Sequence, residues 1–249
     1  MTMKSIVIMG ATSGIGRAVA ERFISRGYMV GVCGRRAQEL ERLRALAPER
    51  VHTAVIDITR PEADTQLLEL FGRMGGVDTY FHISGSGKRN SALEPSAEID
   101  TLRLNGEGFV RMVDCAYRYF RERGGGQIAA VTSIAGTKGL GAAPAYSATK
   151  RMQTIYLQSL AQLSHMNGVA ISITDIRPGF IDTALLDTDS HRYPMLMNVS
   201  YAADRIVRAV IRRRRVRIID WKYRIFTAVW RSVPNFIWER MKIDASERR

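Results

Sequence analysis

Ser5-Ile6-Val7-Ile8-Met9-Gly10-Ala11-Thr12-Ser13-Gly14-Ile15-Gly16 stands close to the start of the chain. Its first part is a short, Ile/Val-rich apolar run that scarcely alternates, as in a strand buried on both faces. Three glycines follow, and helical periodicity begins at about residue 15. Glycines let backbone N–H groups come close to a phosphate group. A helix N-terminus adds its positive dipole end and unpaired donors. A glycine cluster alone is weak evidence. Strand, glycine loop and helix in that order open a dinucleotide-binding βαβ unit.

The same alternation continues outward. Apolar runs recur at Tyr28–Cys33, Val51–Ile56, Val77–Ile83, Gln127–Val131, Val169–Ile176 and Val216–Ile219. Helical patterns lie between them, at roughly 15–26, 37–47, 62–74, 97–123, 145–166 and 200–212. Strands alternating with helices predict an α/β fold: a Rossmann-type, doubly wound parallel sheet of about seven strands. No Pro/Ser-rich linker divides the chain and no repeat recurs. The expectation is one domain over 1–220, followed by a helical tail over 221–249.

The chain has 249 residues, 46% of them hydrophobic, enough for a sizeable core and against disorder. Cys33 and Cys115 are too few for a disulfide scaffold, read as core thiols, and form no CxxC pair, so no metal is called for. Met1–Met9 is too short for a signal peptide, and no run of about 18 apolar residues could span a bilayer. A cytoplasmic protein is expected. The formal charge is +13, from 37 Lys+Arg and 24 Asp+Glu. Residues 205–249 hold 14 Lys/Arg against 4 acids, a net +10, which leaves +3 for residues 1–204. The first 204 residues are nearly balanced; the last 45 make the protein basic.

About 20 residues beyond the glycine loop, an acid would accept from an adenosine ribose hydroxyl. The sequence there is Cys33-Gly34-Arg35-Arg36. Arginine forks onto a 2′-phosphate that an acid would repel, so NADP(H) is favoured over NAD(H). Asp57 could accept from the adenine amino group or cap the helix that follows. Further on, Tyr146 and Lys150 fall at i,i+4, on one helix face. A phenol is a poor base at neutral pH, and a nearby ammonium stabilises phenolate. Hydride transfer needs a proton donor in one direction and an acceptor in the other, and this pair supplies both.

Over about residues 4–220 the chain resembles the short-chain dehydrogenase/reductase family, in its branch of about 250 residues. Gly10–Gly16 is similar to the family's TGxxxGxG loop, and Asn105-Gly106-Glu107-Gly108 to its NxxG. Thr132-Ser133-Ile134-Ala135-Gly136 resembles SSxAG, Tyr146–Lys150 matches YxxxK, and Arg177–Thr183 resembles the PG segment. The resemblance implies that Tyr146 is the general acid/base and that Lys150 holds the nicotinamide ribose and lowers the Tyr146 pKa. It implies that Ser133 bonds the substrate oxygen and that Asn105 helps hold a proton-relay water. Gly10, Thr12, Ser13, Gly14, Ile15, Gly16, Ser84, Gly85, Pro178, Gly179, Ile181 and Thr183 would complete the cofactor site, with Thr183 at the nicotinamide carboxamide. Helices 97–123 and 145–166 resemble the family's subunit surfaces, which implies a homodimer or homotetramer. Two departures stand out. Met9 replaces a Thr, and His82-Ile83-Ser84-Gly85 replaces NNAG, which puts bracing of the sheet centre in doubt. His82 reads as a core histidine.

The resemblance also implies that the segment at about 183–200 covers the substrate. Its apolar Leu185, Leu186, Tyr193, Met195 and Met197 hint at a lipophilic carbonyl or alcohol, or else pack the lid on the core. In the tail, aromatic and aliphatic residues interleave with Lys222, Arg224, Arg231 and Arg240 over about 221–243, and Pro234 divides two short helices. Such helices suit the active-site mouth, a subunit interface or an anionic membrane surface. Nucleic acid is set aside, because no recognised module accompanies the basic stripe. A dinucleotide-binding scaffold or sensor without turnover is the alternative to an enzyme.

Overall fold

A computed structural model describes residues 3–87, 89–183, 193 and 195–242. Seven strands form one parallel sheet: β1 (Ser5–Met9), β2 (Met29–Gly34), β3 (Val51–Val55), β4 (Thr79–His82), β5 (Gly125–Val131), β6 (Ala170–Pro178) and β7 (Val216–Ile219). Their order is β3-β2-β1-β4-β5-β6-β7. The chain winds outward from β1 to β3, then returns to place β4 on the other side of β1. Met9 and His82 are register partners at the point where this order reverses. The carboxyl ends of strands at such a point leave a crevice for a ligand. The glycine loop leaves β1 there.

The runs scarcely alternate because both faces are covered. On one side lie α1 (Gly14–Ser25), α2 (Ala37–Arg44) and α7 (Val199–Ile211), sharing a core of Val19, Phe23, Leu40, Leu43, Ile206 and Val210. On the other lie α3 (Ala63–Arg73), α5 (Phe109–Glu122) and α6 (Pro144–Met166), packed through Leu67, Phe71, Met112, Phe120 and Leu157. Cys33 and Cys115 are buried in this second core, and burial pushes the Cys115 thiol up to about 11.

The helical pattern read as continuous over 97–123 is interrupted. It comprises α4 (Pro95–Leu102), a π-helical turn at Arg103–Gly108 and α5. The wide turn carries Asn105 inward, where it is fully buried; such turns often occur at functional sites. Gly106 and Gly108 weaken the regular helix, and a Cβ on Gly108 would sit 2.8 Å from Ile58 Cγ1. The C-terminal residues form α8 (Trp221–Ser232) and α9 (Asn235–Trp238), on either side of Pro234. Among the described residues no helix is long and apolar enough to cross a membrane.

Candidate active site

The glycine loop is fixed by backbone bonds and by space that only glycine leaves. Gly10 and Ala11 donate N–H bonds to Cys33 O at 2.9 and 3.0 Å. Gly10 has φ +93°, and a Cβ there would stand 2.7 Å from Ser84 N. A Cβ on Gly16 would fall 1.9 Å from Gly10 O, so the first turn of α1 packs tightly under the loop. Ser13 precedes α1, and Ile15 lies half-buried in its first turn. These first N–H groups have no partner within the helix and face the crevice end of the sheet. Gly14 lies against Thr183, whose Cγ2 would be 3.4 Å from a Cβ at Gly14. The residues present therefore leave the cradle a dinucleotide pyrophosphate needs.

Arg35 and Arg36 are exposed where β2 ends. Arg36 donates from Nε and Nη2 to Thr12 Oγ1 at 3.2 and 2.9 Å, which ties it to the loop. Asp57 Oδ1 accepts from Thr59 N and Oγ1 at 3.0 and 2.8 Å. It closes a local turn and does not cap α3, which starts at Ala63. These bonds and nearby Arg35 hold its carboxyl below the usual range, against the effect of burial.

The sheet centre is braced through backbone where the side chains depart from the family pattern. Ile83 N and Ser84 N both donate to Met9 O, at 2.8 and 3.0 Å. His82 is buried, pairs through Nδ1 with the Tyr80 hydroxyl at 2.8 Å and meets the Phe109 ring edge-on. Burial brings its pKa down to about 3, so it is neutral at pH 7.

Ser133, Tyr146, Lys150 and Asn105 converge beside this crevice. Ser133 lies two residues beyond β5, where its hydroxyl accepts from Ala135 N at 3.0 Å and caps a short turn. Glu98 on α4 accepts from Ala145 N at 2.9 Å and so anchors the first turn of α6, which carries Tyr146. Burial pushes the Tyr146 phenol up, and the Ser133 hydroxyl opposes that rise. The downward pull expected from Lys150 therefore does not set the phenol's direction in this structure. Lys150 is buried, with Nζ 5.8 Å from the centre of the Tyr146 ring. It donates to Val131 O at 3.2 Å and to Gln153 Oε1 at 3.0 Å. Burial lowers its pKa to about 8, and Asp175 opposes that fall. Asn105 clasps Ser86 through both backbone groups, and Gln153 Nε2 donates to the Asn105 main-chain oxygen at 2.8 Å. A Cβ on Gly85 would lie 3.1 Å from Asn105 Oδ1 and 3.5 Å from Lys150 Nζ.

The PG segment closes the crevice from the other side. Gly179 N donates to Ile219 O at 3.0 Å, and the Tyr223 ring occupies the space a Gly179 side chain would need. The Tyr223 hydroxyl accepts from Phe180 N at 3.1 Å and donates to Met195 O at 3.2 Å. Pro178 ends β6, and Ile181 bridges to Met197. Met197 is buried in the core, whereas Met195 is exposed and the Tyr193 ring lies tilted against Phe180, with centroids 4.9 Å apart. Leu185 and Leu186 lie outside the described residues.

Sequence reading missed Gln153, Glu98, Asp175 and Tyr223. Gln153 was findable, three residues after Lys150 on the same helix face. Asp175 was findable as an acid inside an apolar strand; it is fully buried against Arg177 and Thr132. Glu98 gave no signal, because its partner is distant in sequence; Tyr223 fell in the aromatic stretch read as suited to the active-site mouth, but its partners are distant in sequence too. Among the described residues no His/Cys/Asp/Glu cluster could hold a metal.

Known proteins share this fold. Residues 4–194 match the short chain dehydrogenase family model. An uncharacterized oxidoreductase of Myxococcus xanthus is 28% identical over 258 residues, covering 100% of this chain and 98% of its own. The NADP-dependent 3-hydroxy acid dehydrogenase YdfG of Salmonella typhi is 28% identical, with 71% of this chain and 72% of its own covered. The crystal structure of a short-chain dehydrogenase from Streptomyces avermitilis shares the fold, with TM-score 0.80 at 24% identity and 96% of each chain covered. The chain belongs to the short-chain dehydrogenase family and is an NAD(P)-dependent oxidoreductase.

Proposed function

We propose that the protein uses NADPH to reduce a lipophilic carbonyl compound to a secondary alcohol, or runs the reverse oxidation. The observation that carries this reading is the convergence of Ser133, Tyr146 and Lys150 beside the glycine cradle, with Arg35 and Arg36 at its far end. The cofactor, when bound, supplies the hydride. Gly10, Thr12, Ser13, Gly14, Ile15 and Gly16 hold its pyrophosphate, and Arg35 and Arg36 its 2′-phosphate. Ser84, Gly85, Pro178, Gly179, Ile181 and Thr183 line the nicotinamide end. Ser133 and Tyr146 donate hydrogen bonds to the substrate oxygen as negative charge develops there. Tyr146 then releases its proton to that oxygen. Its raised pKa keeps the proton available at neutral pH in the reducing direction. Lys150 offers positive charge to the phenolate left behind.

Support for NADPH is the absence of an acid at Gly34-Arg35-Arg36, together with the NADP dependence named for the Salmonella relative. Support for a lipophilic substrate is the apolar lid residues Tyr193 and Met195. A panel of aliphatic, aromatic and steroid-like ketones, each assayed with NADPH and NADH, tests the reading. Turnover with NADPH at the lower KM is expected. Tighter use of NADH overturns the cofactor assignment, and no turnover with any carbonyl favours a scaffold or sensor.

The tail adds a placement, at the cytoplasmic face of a membrane. The inner face of α8 serves the site mouth through buried Tyr223 and Trp230. The outer face exposes Trp221, Ile225 and Val229 in one stripe, 58–64% exposed. Lys222 flanks the stripe on one side, and Arg224 and Arg231 on the other. An apolar stripe edged by cations suits an anionic lipid surface. Two copies meeting through it would set cation against cation. Sedimentation with phosphatidylglycerol vesicles should be lost in Trp221→Ala/Ile225→Ala/Val229→Ala. Unchanged binding, or a dimer that dissociates in that variant, overturns the placement.

A further inference from the structure

We propose that Gln153 is a positioning residue: it bridges the Lys150 ammonium to the main-chain carbonyl of Asn105 and so aims Lys150 at the reacting groups. This rests on the reading of Tyr146 and Lys150 as the working pair.

The orientation of the amide follows from its partners. An ammonium only donates and a carbonyl only accepts, so Gln153 must turn Oε1 toward Lys150 and Nε2 toward Asn105. The two bonds are 3.0 and 2.8 Å. Gln153 is wholly buried, one turn before fully buried Leu157 on α6. Apolar packing alone would favour a leucine at such a position, because burying an amide is costly unless both ends are bonded. Both ends are bonded here, and one partner is the lysine beside Tyr146.

Lys150 has three N–H donors. Val131 O and Gln153 Oε1 take two of them. These two bonds fix the direction of the third. Gly85 leaves space beside Nζ, since even a Cβ there would stand 3.5 Å away. The third donor is thereby kept for the cofactor side of the crevice. An amide also fixes the ammonium without changing charge itself. The other charged or titratable groups facing Lys150 act differently. His82 from β4 is neutral, Asp175 from β6 is paired with Arg177, and Tyr146 shares the helix. Gln153 is the neutral acceptor in direct contact, and it favours the charged form of Lys150.

The chain has six lysines, Lys4, Lys88, Lys138, Lys150, Lys222 and Lys242, few enough to follow singly. Carbon-13 labelling at lysine Cε and NMR titration of the full chain without cofactor reads the Lys150 midpoint, with Lys150→Arg assigning the signal. In Gln153→Leu the midpoint should fall by about one pH unit, the size of one lost hydrogen bond to a charged group. In Gln153→Glu, which keeps an oxygen facing Nζ, it should return to the wild-type value or rise above it. The alkaline limb of carbonyl reduction should move in the same directions, with kcat about tenfold lower in Gln153→Leu. Circular dichroism melts establish that each variant is folded, and Gln153→Met replaces Gln153→Leu should the latter not fold. An unmoved Lys150 midpoint in the folded apolar variant overturns the proposal. A wild-type chain that turns over no carbonyl would sink the functional reading, yet leave the NMR titration to judge Gln153.

Discussion

Lys150 on α6 and Lys222 on α8 carry the same charged group in opposite surroundings. Lys150 is 5% exposed, bonded to Val131 and Gln153, and brought down to about 8 by burial. Lys222 is exposed on a helix that also shows Arg224 and Arg231 to solvent. A buried cation acts through its direction and its proton. An exposed one acts through a field that salt screens within about 10 Å. The net charge of +13 is therefore a poor guide to the chemistry. Most of it lies in the last 45 residues, while the catalytic proposal turns on one dehydrated lysine.

That contrast breaks first at Tyr146. Tyr146→Phe should lower turnover about 100- to 10,000-fold, the span of general acid catalysis, while NADPH binding followed by fluorescence stays within a few-fold. Arg35 and Arg36 sharpen it next, being exposed cations assigned to one phosphate. Replacing both with serine should raise the KM for NADPH about tenfold or more and leave that for NADH nearly unchanged. The pH profile separates the two environments further. Lys150 has its folded pKa lowered from the model-compound value of 10.5 to about 8, so its positive charge is lost as pH rises through about 8. Carbonyl reduction at saturating substrate should decline above that pH, and raised salt should barely move the midpoint. Vesicle binding by the tail, in contrast, should weaken steeply with salt. The smallest effect belongs to Tyr223→Phe. Phe180 N and Met195 O lose a shared partner, which should cost about 1 kcal/mol and raise the substrate KM a few-fold.

The seven strands were legible because each falls in a short apolar run between helical patterns, most of them rich in Val and Ile, and sheets covered on both faces leave that mark. The glycine loop was legible because its residues serve a local backbone geometry. The interruption at Asn105 was not, because a π-helical turn differs from an α-helix by one residue and keeps the apolar face. Tyr146 and Lys150 were named from spacing, Ser133 and Asn105 from the family resemblance, and the four lie close together in the structure. The direction of the Tyr146 pKa was not legible. Spacing shows that Lys150 is near, but the balance between its charge and the loss of water depends on packing. The polar bridge through Gln153 and the clamp by Tyr223 join residues 48 and 43 positions from their partners, and no local pattern records that.

Deuterium transfer offers the most direct test. The protein should be given a reducible ketone and NADPH carrying deuterium at the transferable nicotinamide position. Direct hydride transfer beside Tyr146 predicts alcohol with the label on its carbinol carbon, formed about 100-fold or more slowly by Tyr146→Phe. Label released to water, or equal labelled product from the variant, would contradict the proposed chemistry.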